Sequence, residues 1–463
     1  MKILLINPSI RPDNPRKIFP MGLSYIATAL HDAGYRCQIY DIDAHRFSDV
    51  EVKKYLTDNA FDVVAFGCIV TAYKWVKWIA SIVKSAHPNT VIVAGNSVAS
   101  SIPNLLLEKT DVDIAVVGEG DTTIVELIRA LENSHSLDNV NGICFKRQGR
   151  VVSTPKREVI KDIDSIPYPT RDLFDVGAYL SASKYNTHEA IPIDADKLRV
   201  FNVNTARGCV YKCTFCYHCF VKDKYRIRSP ESVIGEIKDL RNRYGANYIQ
   251  FADELSFPNR SHIEEFCDRL ASEKIDIYWT GTIIPGALRK ADLPLAKRMR
   301  QLGCVGLGYS IESADANILR MMGKPAGLEK FVETRHVLRE AHIVTFTSLV
   351  FGYPIETEET IRRTIDFCIE EQVAPSSGYL LALPGSWIYG YAREKGLIKD
   401  EEQYLLSIAD RQDLHLNFTS IPSEKLVRLV QDGVKRYNAA LGIVLNCDNP
   451  LKTLQTRSRD SLA

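Results

Sequence analysis

The sequence predicts an α/β protein built as an N-terminal doubly wound, Rossmann-like sheet, a partial, open TIM-like (βα)6 barrel and a small helical C-terminal region. Three observations carry that expectation. Short β-branched runs alternate with amphipathic helices over residues 1–145. The alternation resumes at residue 199, after a proline-pinned crossing at Pro167 and Pro169. Three closely spaced cysteines follow the first strand of that second series. The expected organisation is therefore a first domain at 1–145, a linker at 146–198, a barrel at 199–395 and a helical region at 396–463, with 448–463 polar enough to be disordered.

In the first domain, strands are expected at Lys2–Ile6, Gln38–Tyr40, Val63–Phe66, Val91–Ala94 and Ile114–Val117. The intervening helix Gly22–Ala33 aligns Leu23, Ile26, Ala27 and Leu30; another begins near Tyr73 and aligns Trp75, Ile79, Ile82 and Val83. Sheets of this kind bind ligands at the carboxyl ends of their strands. The turns there are rich in small residues: Gly67 to Thr71, Gly95-Asn96-Ser97 and Gly118-Glu119-Gly120. Glycine lets a ligand approach the backbone closely, so these are candidate cofactor-binding residues. No GxGxxG follows the first strand, which argues against a dehydrogenase.

In the barrel, Ser229-Pro230 reads as a helix start, with Val233, Ile237 and Leu240 on one face. Ser261 to Glu264 reads as a capping box. Strands are expected at Val200–Val203, Tyr248–Ala252, Ile277–Gly281, Val305–Ile311, Val344–Phe351 and Gly378–Ala382. Chemistry in such barrels sits on the carboxyl-end loops. In the tail, Leu426, Leu429, Val430 and Val434 form a stripe expected to pack on the barrel.

Composition narrows the function classes. At 45% hydrophobic and 25% charged residues the chain is ordinary for a globular protein. A net charge of +1 leaves no electrostatic footprint for nucleic acid. No apolar stretch approaches the ~18 residues of a membrane span, and Lys2–Ile6 is too short for a signal core. Eleven scattered cysteines do not form a disulfide framework and point to the reducing cytoplasm.

Cys209, Cys213 and Cys216 stand at CxxxCxxC spacing. Short spacings wrap one loop around one soft metal centre. Three thiolates without a fourth suit a [4Fe–4S] cluster with one open iron; the alternative is a zinc knuckle completed by Cys219.

With Phe215 before the last cysteine, this motif resembles that of radical S-adenosylmethionine (SAM) enzymes. The resemblance implies that Cys209, Cys213 and Cys216 hold the cluster and that the amino and carboxylate groups of SAM chelate its open iron. It also implies that Phe251-Ala-Asp253-Glu254 contacts the SAM amino group. Tyr309-Ser310-Ile311-Glu312-Ser313 would contact the ribose, and Leu349–Pro354, with Gly352, the adenine. Ala382–Ser386 resembles a further family segment. The first domain resembles the cobalamin-binding domain that precedes the barrel in one large subclass, through Pro20-Met-Gly22-Leu, Ala94–Ser97 followed by Pro103, and Val117–Gly120. It lacks the cobalt-ligating DxHxxG; Asp43-Ala-His45 copies three positions of it, but after the second strand instead of the first.

The resemblance implies one-electron cleavage of SAM to a 5′-deoxyadenosyl radical, fed by an external donor such as flavodoxin or ferredoxin. Methylcobalamin would then methylate an unactivated carbon of a small-molecule substrate. A cyclase resembling the anaerobic magnesium-protoporphyrin enzyme shares the same domain pair. A methylthiotransferase would carry further clustered cysteines, whereas Cys37, Cys68 and Cys144 are dispersed. A non-enzymatic sensor would bind the cofactors without cleaving SAM.

Overall fold

The computed structural model describes residues 1–187, 191–217, 223–324, 327–408, 414–442 and Leu445. They form two compact units, the first chiefly Met1–Asn186 and the second chiefly Lys224–Leu397.

The first unit holds strands β1 (Ile3–Asn7), β2 (Cys37–Asp41), β3 (Val63–Gly67), β4 (Val91–Gly95), β5 (Ile114–Val116), β6 (Ile143–Arg147) and β7 (Arg150–Ser153). They lie in the order β2-β1-β3-β4-β5-β6-β7. The first five pair in parallel and the last two antiparallel. Parallel strands are covered on both faces and read as continuous apolar runs; Ile3, Leu4, Leu5 and Ile6 are all buried. Ile3 and Leu5 share a core with Leu23, Ala27 and Leu30 of helix Met21–Asp32 and with Ile124, Leu127 and Ile128 of helix Asp121–Glu132. The reversal of strand order at β1/β3 places the ligand crevice of such a sheet beside Asn7 and Gly67.

This sheet extends past the boundary expected at 145, through the β6–β7 hairpin. The expected linker is anchored here as well. Phe174 and Tyr179 pack edge-on against Phe19, and the Arg171 guanidinium lies 4.3 Å from the Phe19 ring. Its aromatic anchors are too sparse to give a periodic pattern, which is why the segment reads as a linker in sequence.

The second unit holds β8 (Val200–Val203), a small ribbon of β9 (Ala206–Arg207) and β10 (Arg226–Ile227), then β11 (Tyr248–Phe251), β12 (Tyr278–Thr282), β13 (Cys304–Gly308) and β14 (Val344–Phe346). The parallel sheet runs β8-β11-β12-β13-β14. Single bridges Glu312↔Leu349 and Phe351↔Tyr379 continue it, so the sixth strand expected at Gly378–Ala382 survives as one pairing. Phe251, Phe257, Phe266 and Trp279 interlock at the centre, with ring centroids 5.3–6.0 Å apart. The buried indole N–H donates to the Leu302 carbonyl at 2.9 Å, so its one polar atom is satisfied.

Ser229 caps helix Pro230–Tyr244 as expected. Helix Arg260–Ser272 is instead capped by Asn259, whose side chain accepts from the His262 amide, so the expected cap at Ser261 sits inside the helix. Helix Ser423–Leu441 buries Leu426, Val430 and Val434 and packs on helix Glu358–Glu370, where Gly433 admits Ile365. Among the described residues no helix is long and apolar enough to cross a membrane. Cys219 and the tail 448–463 lie outside the described residues.

Candidate functional site

The cysteine loop leaves the carboxyl end of β8, and its base is closed by β9 and β10. Two buried charged groups hold that base. The Asp253 carboxylate, just past β11, accepts from the Thr205 amide at 2.9 Å, the Thr205 hydroxyl at 2.7 Å, the Ala206 amide at 3.1 Å and the Asn204 side chain at 2.9 Å. Arg228 donates its amide to the Thr205 carbonyl at 2.8 Å and its guanidinium to the Asn204 carbonyl at 2.7 Å and to buried Glu236 at 2.6 Å.

Further along, Thr214 is gripped on every polar atom. Its amide donates to the Met322 carbonyl at 2.9 Å, its hydroxyl to the Met321 carbonyl at 2.9 Å, and its carbonyl accepts from the Ile388 amide at 3.1 Å. That leaves the hydroxyl oxygen to accept from the Tyr353 phenol, 3.0 Å away. Phe215 meets the Tyr353 ring edge-on at 6.2 Å. Gly323 turns at φ +70°, and a Cβ there would lie 3.4 Å from the Lys212 carbonyl. The turn Met321–Lys324 is therefore the seat of the loop.

Cys209, Cys213 and Cys216 are half-buried, unbridged thiols on this one loop. Burial pushes Cys213 up to about 11, with Lys324 opposing; a bound metal would deprotonate it. Among the described residues no three ligating side chains already converge at metal-binding distances, these included. The loop is thus a donor set of the right chemistry for an iron–sulfur cluster and not a finished cage.

The expected SAM contacts fall into different situations. Asp253 is committed to the loop base; burial outweighs its hydrogen bonds and raises it to about 6. In the fold it holds the base of the cysteine loop. Its neighbour Glu254 is exposed, and its charge is felt at Cys209. Glu312 is buried in the left-handed region at φ +61°, tied by its amide to Ser348 and by its carbonyl to the Val350 amide. Its carboxylate pairs with Lys324 at 3.1 Å and accepts from the Ser348 hydroxyl at 3.4 Å. Ser310 shares a 2.6 Å hydrogen bond with the same Ser348 hydroxyl. Gly352, at φ +100°, donates its amide to buried Glu356 at 2.5 Å.

Sequence reasoning missed Lys324, Tyr353 and Glu356 as individual residues. Lys324 also lies 5.7 Å from the Tyr211 ring within the loop. Burial lowers its pKa, but Glu312 and Cys213 outweigh that and the net shift is upward.

At the carboxyl edge of the first sheet, Gly67 and Gly95 end β3 and β4, and a Cβ on Gly118 would meet nothing within 4 Å. The open space at Gly118, with no side chain at Gly67 or Gly95, is compatible with a large ligand such as a corrinoid. Several polar candidates there are engaged by the fold. The Ser97 hydroxyl accepts from the Val70 amide at 2.9 Å, beside buried Thr71. Asn96, at φ +65°, accepts its neighbour's amide. Glu119 accepts from the Ile160 amide at 2.6 Å, and Gly120 packs on Ile26. His45 sits after β2, 3.7 Å from Asp175.

Comparison with known proteins agrees with both halves of this description. The B12 binding domain model matches residues 15–128, and the Radical SAM superfamily model matches 203–368. An uncharacterized methyltransferase of Pyrococcus horikoshii is 26% identical over 435 residues, covering 92% of this chain and 91% of that protein. The anaerobic magnesium-protoporphyrin IX monomethyl ester cyclase of Rubrivivax gelatinosus is 28% identical over 79% of this chain, which spans 65% of the cyclase. Among solved structures, the radical SAM methyltransferase TsrM of Kitasatospora setae, with cobalamin and a [4Fe–4S] cluster bound, superposes with a TM-score of 0.66 at 18% identity, covering 86% of this chain and 79% of TsrM. With a B12-binding domain ahead of a radical SAM domain, the chain belongs to the cobalamin-dependent radical SAM enzymes.

Proposed function

We propose that the chain is a cytoplasmic methyltransferase acting on an unactivated carbon of a small molecule, supplied with electrons by an external flavodoxin- or ferredoxin-like donor. The observation that carries this reading is the loop of three thiols, none of them in a disulfide, seated at the carboxyl edge of the second sheet, in a chain whose first sheet presents a glycine rim. When bound, the cluster and SAM supply the 5′-deoxyadenosyl radical and cobalamin supplies the methyl group.

The chain's own residues bind and orient. Cys209, Cys213 and Cys216 hold the cluster. Asp253 and Arg228 fix the loop's base, and Thr214 with Tyr353 fixes its far side. Glu254 receives the SAM ammonium by a charge-assisted hydrogen bond. Glu312 receives the ribose hydroxyls, and Ser310 stands beside it. The Gly352 turn, held from below by Glu356, offers its backbone to the adenine. The Gly67, Gly95 and Gly118 turns, with Thr71 and Asn96, border the corrinoid.

Methyl transfer consumes two SAM molecules, one as methyl source and one as radical source. The protein, loaded without oxygen to about four irons and one cobalt per chain, should therefore release S-adenosylhomocysteine together with 5′-deoxyadenosine when given SAM and reductant. Deoxyadenosine without S-adenosylhomocysteine would favour a cyclase-type reaction. Zinc in place of iron would end the radical reading.

A further inference from the structure

The Lys324–Glu312 pair lies where three segments meet within the second unit. Glu312 belongs to the segment after β13, pinned in a left-handed conformation between Ser348 and Val350. Lys324 closes the turn that seats the cysteine loop, its own amide donating to the Leu319 carbonyl at 3.0 Å. Tyr211 comes from the cysteine loop itself. The ammonium stands 3.1 Å from the Glu312 carboxylate and 5.7 Å from the Tyr211 ring centroid. Both charged side chains are largely buried, at 6% and 15% exposure. Tyr211, Ser310, Ile311, Leu319 and Lys324 together line one narrow cleft.

We infer that Lys324 is a positioning residue for SAM: its ammonium aims the Glu312 carboxylate at the nucleoside and ties that carboxylate to the loop that carries the cluster. The inference rests on the reading of Glu312 as the ribose acceptor. A buried carboxylate keeps its orientation only while its partners fix it. Here the only other polar contact described for that carboxylate is the Ser348 hydroxyl at 3.4 Å, already shared with Ser310. Glu312 also occupies a backbone conformation that costs energy for a residue with a Cβ, so its side chain leaves the main chain in one imposed direction. Lys324 then selects where the carboxylate ends. Because Gly323 and Met322 contact the cysteine loop directly, the same turn sets the distance between ribose acceptor and cluster.

The test uses the full chain, reconstituted with iron and sulfide without oxygen, and reads iron content, melting temperature and SAM affinity by equilibrium dialysis. Lys324→Met should keep the parent's iron content while SAM binding weakens by about tenfold. Lys324→Arg, which keeps the charge, should stay within about threefold of the parent. Should Lys324→Met lower the melting temperature, the double variant Lys324→Met/Glu312→Gln, which removes both buried charges, decides the matter. In a positioning role it binds SAM no more weakly than Glu312→Gln alone, because removing the ammonium has nothing left to disorient. Parent-like SAM affinity in Lys324→Met overturns the inference, as do strictly additive losses in the double variant. Loss of iron in Lys324→Met would assign the lysine to loop folding instead and overturn it as well. A parent protein that assembles no iron–sulfur cluster would instead end the functional reading itself, so the two failures are distinct.

Discussion

At the carboxyl edge of the first sheet, Ser97, Asn96 and Glu119 turn their polar atoms onto the fold's own amides, and Gly118 leaves open space. At the same edge of the second sheet, Glu254 is exposed, with its charge felt at Cys209, and Glu312 is paired with a lysine. The contrast follows the ligands the two edges are proposed to take. A large corrinoid can be held by shape and backbone over a wide area, so few side chains need be reserved for it. SAM is small and carries an ammonium, a carboxylate and a diol, each of which asks for a placed partner.

The largest expected effect breaks the two edges apart. Cys213→Ala should reduce cluster iron to near zero and lower 5′-deoxyadenosine formation by at least about a hundredfold, since removing a coordinating thiolate disables the centre outright. Cobalt stoichiometry should stay at the parent value, because no residue of the glycine rim is altered. Iron analysis and chromatography of the nucleoside products check both halves. Deoxyadenosine at the parent rate would remove the cysteine loop from the mechanism, and loss of cobalt along with iron would mean the two edges are not independent.

The same contrast explains what was legible in the sequence. Strand–helix alternation gave both sheets because fully buried parallel strands must be apolar throughout, as Ile3–Ile6 are. The grouping of the three cysteines was legible because their short spacing keeps them on one loop whatever the surrounding fold. Lys324 was not, since a single lysine at the end of the short helix Ala316–Met321 and its turn looks the same in sequence whether it faces solvent or a buried carboxylate. Sequence shows Asp253 only as a carboxylate at a strand end, where the family resemblance implies a SAM contact. It does not show that the Thr205 and Ala206 amides, 48 and 47 residues away, hydrogen-bond to it. The hairpin β6–β7 and the Phe174–Tyr179 anchors were hidden because their partners, β5 and Phe19, are remote in the chain.

The second edge is not wholly given to ligands, and Glu356 sharpens the comparison there. Its carboxyl is buried beneath the Gly352 turn, and burial raises it from 4.5 to about 7 despite hydrogen bonds from the Gly352 and Tyr353 amides. A carboxyl whose folded pKa is raised holds its proton more tightly when folded. Its contribution to stability is fully present below the unfolded pKa of 4.5 and is lost as pH rises through about 7. The loss is on the order of 3 kcal/mol. Glu356→Gln, which stays neutral, should remove that component, so melting curves taken between about pH 5 and pH 8 should fall less steeply for the variant than for the parent. Parallel slopes would mean that Glu356 is ionised in the folded protein and that the turn is held by a charge.

The smallest expected effect tests whether the first edge really directs its polar groups inward. Ser97→Ala leaves the buried Val70 amide without its 2.9 Å acceptor. An unsatisfied buried donor costs about 1–2 kcal/mol, which for a unit of this size lowers the melting temperature by roughly 2–8 °C. Cobalamin affinity, measured by titration of the reconstituted protein, should stay within about threefold, because the hydroxyl serves the turn between β3 and helix Tyr73–Ala86. The reverse pattern, an unchanged melting temperature with tenfold weaker cobalamin binding, would place the Ser97 hydroxyl on the cofactor. The first edge would then resemble the second, reserving side chains for its ligand after all.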